Sequence, residues 1–397
     1  MVDRVSLFRI PTEIMYGFGS IKKLGEVATG LGAQKVLIVT DSGVRNAGLL
    51  DLVTAPLEKS GIDFEVFADV EPNPSVETVE KGQSLLKEAG CQAIVAVGGG
   101  SPLDTGKAIG LLAANGGRIT DYEGADKVPH ASLPVVAVPT TAGTASEVTI
   151  NIVITDHSRN YKLTIVSPKT VARVALLDPI MTQSMPPEVT AATGLDALVH
   201  AIESFTSLMA YPVAESLALE AIRLISNNLR QAVFNGKNFT ARDNMLMGSL
   251  MAGLAFNNTR LGNAHAMSHP LSAYFDIPHG VANAILIPYV MEFNVPSAPE
   301  KFALIAEAMG ESTSGLNTME AACSAVTAVT KLNRDIGIPQ SLSDVGAKQN
   351  VILEMAQDAM KSGNILVNPR TTNIEDIITL YNKAFGGVNR KSLNEVG

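Results

Sequence analysis

The sequence predicts two units of different class, an α/β unit over residues 1–186 and an all-helical unit over residues 187–397. Three observations carry this. Short, wholly apolar runs alternate with helix-like stretches in the first half. From about Pro187 onward a 3.6-residue period dominates. The change falls at Met185-Pro186-Pro187-Glu188, where proline suits the first turn of a helix.

Lys35–Thr40 (KVLIVT), Ala93–Val97 (AIVAV), Pro134–Val138 (PVVAV) and Val174–Asp178 (VALLD) are continuous apolar runs. Runs without polar alternation suit parallel strands covered on both faces. Ser75–Gly90 and Pro102–Asn115 read as helices between them, and strand–helix–strand order argues for a parallel sheet. In the second half, Leu217, Ala221, Leu224 and Ile225 make one apolar stripe; Leu246, Leu250 and Leu254 make another. No β run is expected after Asp178, and there is no internal repeat or low-complexity segment.

A chain of 397 residues suits two or three domains, and 46% hydrophobic against 17% charged residues supplies large cores rather than disorder. The net charge of −9, with no dense run of Lys and Arg, makes nucleic acid and anionic membranes poor partners. The start, MVDRVSLFRIPTE, lacks the apolar core and cleavage pattern of a signal peptide. Ala284–Met291 is apolar, but it is interrupted by Pro288 and too short to span a bilayer. Cys91 and Cys323 form no CxxC pair. A reducing cytoplasm and a role as small buried hydrophobes are expected for both.

Four of the six histidines fall between residues 200 and 279. Asp196 and His200 are four apart in TGLDALVHAIE, so both face one side of a helix. His265 and His269 repeat the spacing in GNAHAMSHPL, and His279 follows in the DIPHG turn. A carboxylate with imidazoles is a ligand set for Fe(II) or Zn(II), not Mg(II) or Ca(II). Any one of these histidines alone reads better as an ordinary core or surface side chain. The paired spacings weigh against that for the set, but spacing does not rank the four histidines as ligands.

Ala93–Lys107 (AIVAVGGGSPLDTGK) runs from a strand through three glycines into a helix opening at Ser101-Pro102. Glycines there let a phosphate approach the backbone, and a helix N-terminus favours an anion. The G-x-G-x-x-G pattern fails at Leu103, and the P-loop pattern fails at Ser101 and Ala108. A tight βα turn with no ligand fits these residues as well as a phosphate site does. Hydroxyls and glycine in Pro139–Glu147 follow the third strand, where open α/β sheets bind ligands. Asp41 ends the first strand, placed either to bind a ribose 2′-hydroxyl or to cap a helix.

Together, EPNPS (71–75), GGGSPLDTGK (98–107), PTTAGTASEVT (139–149), ATGLDALVHAIES (192–204) and GNAHAMSHPL with DIPHGVANAILIP (262–288) resemble the iron-containing (group III) alcohol dehydrogenase family. The likeness is strongest to its lactaldehyde/1,2-propanediol, 1,3-propanediol and methanol dehydrogenase subgroup. The resemblance runs nearly end to end. It implies a dehydroquinate synthase-like fold, with an N-terminal dinucleotide-binding α/β domain and a C-terminal helical domain, and with cofactor and metal meeting in the cleft between them.

By matching positions, the resemblance implies metal ligands Asp196, His200, His265 and His279, and places His269 beside nicotinamide and substrate as a proton relay. It implies cofactor contacts at Asp41, Asn73, Gly98, Gly99, Gly100, Ser101, Asp104, Thr140, Thr141, Thr144, Thr149, Asn151, Lys162 and Met181. It further implies NAD in preference to NADP, Fe(II) with Zn(II) as the alternative, a small primary alcohol or diol as substrate, and a homodimer or larger assembly. Other readings are a zinc-dependent glycerol dehydrogenase, a metal-dependent hydrolase without dinucleotide, and a sugar-phosphate cyclase. The last needs a basic pocket, and Arg260 is the nearest cation before His265. Phe256, Asn257 and Asn258 are expected either to line the substrate pocket or simply to pack their helix.

Overall fold

The computed structural model describes residues 5–159 and 161–386. It divides into two compact units. One is Arg9–Met185; the other runs from Pro186 and includes residues 5–8.

The first unit runs β1 (Glu13–Tyr16), α1 (Leu24–Gly30), β2 (Lys35–Val39), α2 (Ser42–Asn46), α3 (Leu50–Lys59), β3 (Asp63–Phe67), α4 (Val76–Glu88), β4 (Ala93–Gly98), α5 (Gly100–Asn115), β5 (Gly124–Ala125), β6 (Val135–Pro139), β7 (Asn151–Asp156), β8 (Tyr161–Val166) and β9 (Val174–Leu177). Six strands form one parallel sheet in the order β1-β9-β6-β4-β2-β3. The apolar runs become its inner strands because both faces are covered. Leu37, Val39, Ile94 and Ala96 feed one core, while Val36, Ile38, Val95 and Val97 feed the other. From β2 the chain moves outward to β3, then returns past β2 to β4, β6 and β9. The direction reverses between β2 and β4. Open α/β sheets bind ligands at such a reversal, beyond the carboxyl ends of the strands.

The structure adds strands the apolar runs do not mark. β1 and β3 lie at the sheet edges and are half exposed. β7 and β8 pair antiparallel in a second sheet with β5. Their burial alternates residue by residue, as in a strand with one covered face. α5 opens at Gly100, one residue before Ser101-Pro102, with Gly99 at the N-cap.

The second unit is helical: α6 (Pro187–Thr206), α7 (Pro212–Phe234), α8 (Phe239–Thr259), α9 (Asn263–Phe275), α10 (His279–Asn294), α11 (Pro299–Ala308), α12 (Thr318–Asp335), α13 (Ile352–Ala359) and α14 (Ile374–Gly386). α6 packs on α7, α8 and α10, and α10 also packs on α9, α12 and α14. That central position explains why Ala282–Met291 is buried on every side. Pro288 lies inside α10 rather than ending it. Leu246, Leu250 and Leu254 are buried on α8 as expected. On α7 the stripe is rotated from its expected centre. Ala214, Ala218, Ala221, Ile222, Ile225 and Leu229 form it, while Leu217 and Leu224 sit half-buried at its edge. Cys91 is buried, but Cys323 lies on the exposed face of α12, which corrects its expected burial. Among the described residues, no helix is long and apolar enough to cross a membrane.

Candidate metal centre and dinucleotide surface

Three helices build the histidine cluster. α6 carries Asp196 and His200 one turn apart, α9 carries His265 and His269, and α10 begins at His279. α9 ends on Asp276 in the left-handed region (φ 53°), which turns the chain into Ile277-Pro278 and the new helix. Gly280 then lets α10 start against α6. A Cβ at Gly280 would lie 2.4 Å from the carbonyl oxygen of Ala192. No side chain fits there, and this approach brings His279 to Asp196.

Asp196, His265 and His279 place one ligand atom each within 4.8 Å of one another. Asp196 and His265 are buried and His279 is half-buried. His200 Nε2 stands 4.0 Å from Asp196 Oδ2, and its ring is stacked between Phe256 at 4.4 Å and His265 at 4.5 Å. His269 lies outside the three-residue group, with its ring 5.1 Å from that of His279. The donor set, one anionic oxygen with several imidazole nitrogens, fits a divalent transition metal.

Two buried polar residues that the spacing argument missed complete the centre. Asn283, one turn along α10 from His279, donates from Nδ2 to Asp196 Oδ1 at 2.8 Å. The same nitrogen lies 3.1 Å from both His265 Nε2 and His279 Nε2. Glu203, one turn beyond His200 on α6, contacts His265 Nδ1 at 2.6 Å. The sequence does carry a signal for both, since Asn283 is the single polar residue in Val281–Ile287 and Glu203 is the single charged residue between Asp196 and Glu215. Phe256 packs directly on His200, while Asn258 bonds back to its own helix at the Leu254 carbonyl.

In the α/β unit, the residues expected at the cofactor gather at the carboxyl ends of the strands. Asp41 follows β2, Gly98–Ser101 end β4, Thr140, Thr141 and Thr144 follow β6, and Met181 follows β9. Gly98 holds φ 152°, and a Cβ there would lie 2.4 Å from Pro102 Cγ, so the turn requires glycine. The glycine and threonine motifs face each other. A Cβ on Gly99 would stand 3.2 Å from Thr141 Cγ2, and one on Gly100 would stand 3.0 Å from Thr144 Cγ2. The threonine side chains therefore pack against the glycine turn, and no side chain caps the first turn of α5, which suits an approaching phosphate.

The remaining expected residues have internal partners. Asp41 caps α2, with Oδ1 accepting from Val44 N at 2.8 Å. Lys162 Nζ donates to Asn73 Oδ1 at 2.7 Å, joining β8 to the loop before α4. Asp104 accepts from Val153 N at 2.9 Å and from Ser146 Oγ, and pairs with Lys107 Nζ at 2.9 Å. The Asn151 carbonyl accepts from Lys107 Nζ at 2.6 Å, and Thr149 N bonds the Ser146 carbonyl. Met181 is fully buried in the core that holds Val36 and Val95.

Comparisons with known proteins agree with this architecture. Residues 11–179 match the model of the iron-containing alcohol dehydrogenases, and residues 190–385 match the C-terminal model of the same family. The 1,3-propanediol dehydrogenase of Citrobacter freundii is 46% identical over 97% of this chain and its own full length. The NAD-dependent methanol dehydrogenase of Bacillus methanolicus is 40% identical over 95% of this chain and 99% of its own. A crystal structure of 1,3-propanediol oxidoreductase superposes with a TM-score of 0.94 at 45% identity, covering 96% of this chain and all of that one. The chain belongs to the iron-containing alcohol dehydrogenase family and is an oxidoreductase. Membership implies NAD and a metal, and sets aside the hydrolase and sugar-phosphate cyclase readings.

Proposed function

We propose that this enzyme interconverts a small primary alcohol or diol and its aldehyde, using NAD(H) and Fe(II). In this reading the α/β unit binds NAD and the helical unit, from residue 187, holds the metal and substrate. The observation that carries it is the convergence of Asp196, His265 and His279 from three helices, with His200 alongside.

Asp196, His200, His265 and His279 would hold the metal, which supplies Lewis acidity to polarise the substrate C–O bond. The glycine cradle of Gly98–Ser101 with Thr140, Thr141 and Thr144 orients NAD, and Asn73, Asp104, Thr149, Asn151, Lys162 and Met181 shape or brace its surface. On oxidation, NAD when bound would supply the hydride acceptor for the carbinol carbon, and His269 would carry the hydroxyl proton through a ring nitrogen to solvent. An imidazole suits that relay because it titrates near neutral pH. The products are aldehyde, NADH and one proton. A cytoplasmic location and a homodimer or larger assembly accompany this reading.

The test combines metal analysis with a substrate panel. Protein purified without air is expected to carry iron and to turn over 1,2- or 1,3-propanediol, butanol or ethanol with NAD. The ligands alone do not select iron, since intrinsic affinity favours zinc; a zinc-loaded, active preparation would replace Fe(II) in the proposal. Failure to turn over any member of the panel, or its aldehyde with NADH, would remove the substrate class.

Asp41 makes the cofactor choice testable. Its Oδ1 is committed to the helix cap, so its charge stands fixed beyond β2, where a 2′-phosphate would be repelled. The wild type is expected to favour NAD over NADP in kcat/KM by roughly tenfold or more. Asp41→Ser keeps a capping oxygen and removes the charge, so it should raise kcat/KM for NADP with little change in stability. Equal use of the two cofactors by the wild type would refute the role.

A further inference from the structure

Asp196, His200 and Glu203 occupy one stripe of α6, spaced by four and then three residues. Two of them are ligands in the reading above; the third turns to the far side of a neighbouring ligand. Glu203 is only 4% exposed. Its Oε2 lies 2.6 Å from His265 Nδ1, and its Oε1 accepts from Ala264 N at 2.6 Å. Ala264 lies in the first turn of α9, whose N–H groups have no partner within the helix. Gly262, the N-cap, has no side chain to supply one, and a Cβ there would come within 2.9 Å of Glu203 Oε1. One carboxylate from α6 therefore caps α9 and grips the histidine in its first turn.

We infer that Glu203 is a positioning residue of the metal centre: it holds His265 with its proton on Nδ1 and its Nε2 lone pair turned into the cage. The geometry on the other side of the ring agrees. His265 Nε2 is 3.1 Å from the Asn283 amide nitrogen, a donor, and 3.8 Å from Asp196 Oδ1. A ring that donates at Nδ1 has the free lone pair at Nε2 that a ligand needs, and a carboxylate partner at Nδ1 also raises ligand basicity. The inference rests on the assignment of His265 and His279 as ligands.

Glutamine at this position separates capping from tautomer control. A carboxylate offers two acceptors to two donors, whereas an amide offers one acceptor and one donor. In Glu203→Gln, either the amide NH2 confronts Ala264 N–H, or it donates to Nδ1 and moves the imidazole proton to Nε2. Both outcomes weaken the cage.

The experiment uses metal-free full-length protein and Zn(II) as the probe, titrated in competition with a fluorescent chelator. Glu203→Gln is expected to raise the Zn(II) dissociation constant about 10–100-fold, and Glu203→Asp to recover part of the loss. In 15N-histidine spectra of metal-free wild type, His265, assigned by its loss in His265→Gln, should carry its proton on Nδ1. That spectrum decides the matter even if Glu203→Gln does not fold. A proton on Nε2 in the wild type would overturn the inference. So would a folded Glu203→Gln protein binding Zn(II) within twofold of wild type while His279→Ala binds it poorly. If His279→Ala also binds Zn(II) normally, the ligand assignment itself fails and takes this role with it.

Discussion

His279→Ala is expected to remove the bound metal and lower kcat/KM by about a thousandfold or more while leaving the fold intact. The activity loss follows from Lewis-acid stabilisation being worth several kcal/mol, at about 1.4 kcal/mol per tenfold. The fold should survive because His279 is half-buried at the first position of α10, and its contact to Ser268 Oγ, at 3.3 Å, is long. Gly280, which makes the close approach to α6, stays in place. His269→Ala is the paired experiment. Its ring lies beside that of His279 but outside the convergent group. It should retain full metal content and lose turnover by roughly a hundredfold or more where proton transfer limits the rate. Metal content by elemental analysis and kcat/KM read both variants. Full activity of metal-free His279→Ala would sink the Lewis-acid mechanism, and loss of metal from His269→Ala would make His269 a ligand.

The same residues show where sequence reading succeeds and where it stops. β2, β4, β6 and β9 were legible because a strand covered on both faces must be apolar throughout. The edge strands β1 and β3 were not, since exposed residues such as Glu13 and Asp63 break the run. The β7–β8 hairpin was only partly legible, since YKLTIV alternates but NIVITD carries three successive apolar residues, and the one-sided burial of β7 emerges only in the fold. For the site, four-residue spacing placed Asp196 with His200 and His265 with His269, but two equal spacings on two helices cannot say which histidine faces the cage. That depends on the left-handed turn at Asp276 and the glycine contact at Gly280, which are tertiary facts. Asn283 was not legible as a site residue because, although it stands four residues from His279, an amide is not a usual metal ligand, and Glu203 stands three residues from His200 rather than four; the signal of each is one amide or one charge among uncharged neighbours.

Lys107 should matter nearly as much to the α/β unit as His279 matters to the metal centre. It is 1% exposed, and Nζ meets three acceptors: the carbonyls of Ser146 and Asn151 at 3.0 and 2.6 Å and Asp104 at 2.9 Å. It thereby ties α5, which opens the glycine cradle, to the segment following the threonine motif. Lys107→Met keeps most of the volume but leaves two buried carbonyls and the Asp104 carboxylate without their cation. Breaking a buried charge pair from one side costs about 3–5 kcal/mol, or roughly 10 °C in melting temperature for a unit of this size. KM for NAD should rise with it. Glu147 adds a pH signature. Burial pushes its carboxyl up to about 7, against the pull of its own backbone hydrogen bond and of Lys107. A carboxyl whose pKa is raised on folding favours the folded state below its ordinary value of 4.5, and that contribution is lost as pH climbs through about 7. Without Lys107 the carboxyl rises further, so the stability deficit of Lys107→Met should be larger at pH 8 than at pH 6. Urea unfolding at the two pH values measures both effects. A deficit below about 1 kcal/mol would mean that solvent or a rearranged Asp104 satisfies the site, and Lys107 would then be no anchor of the cofactor surface.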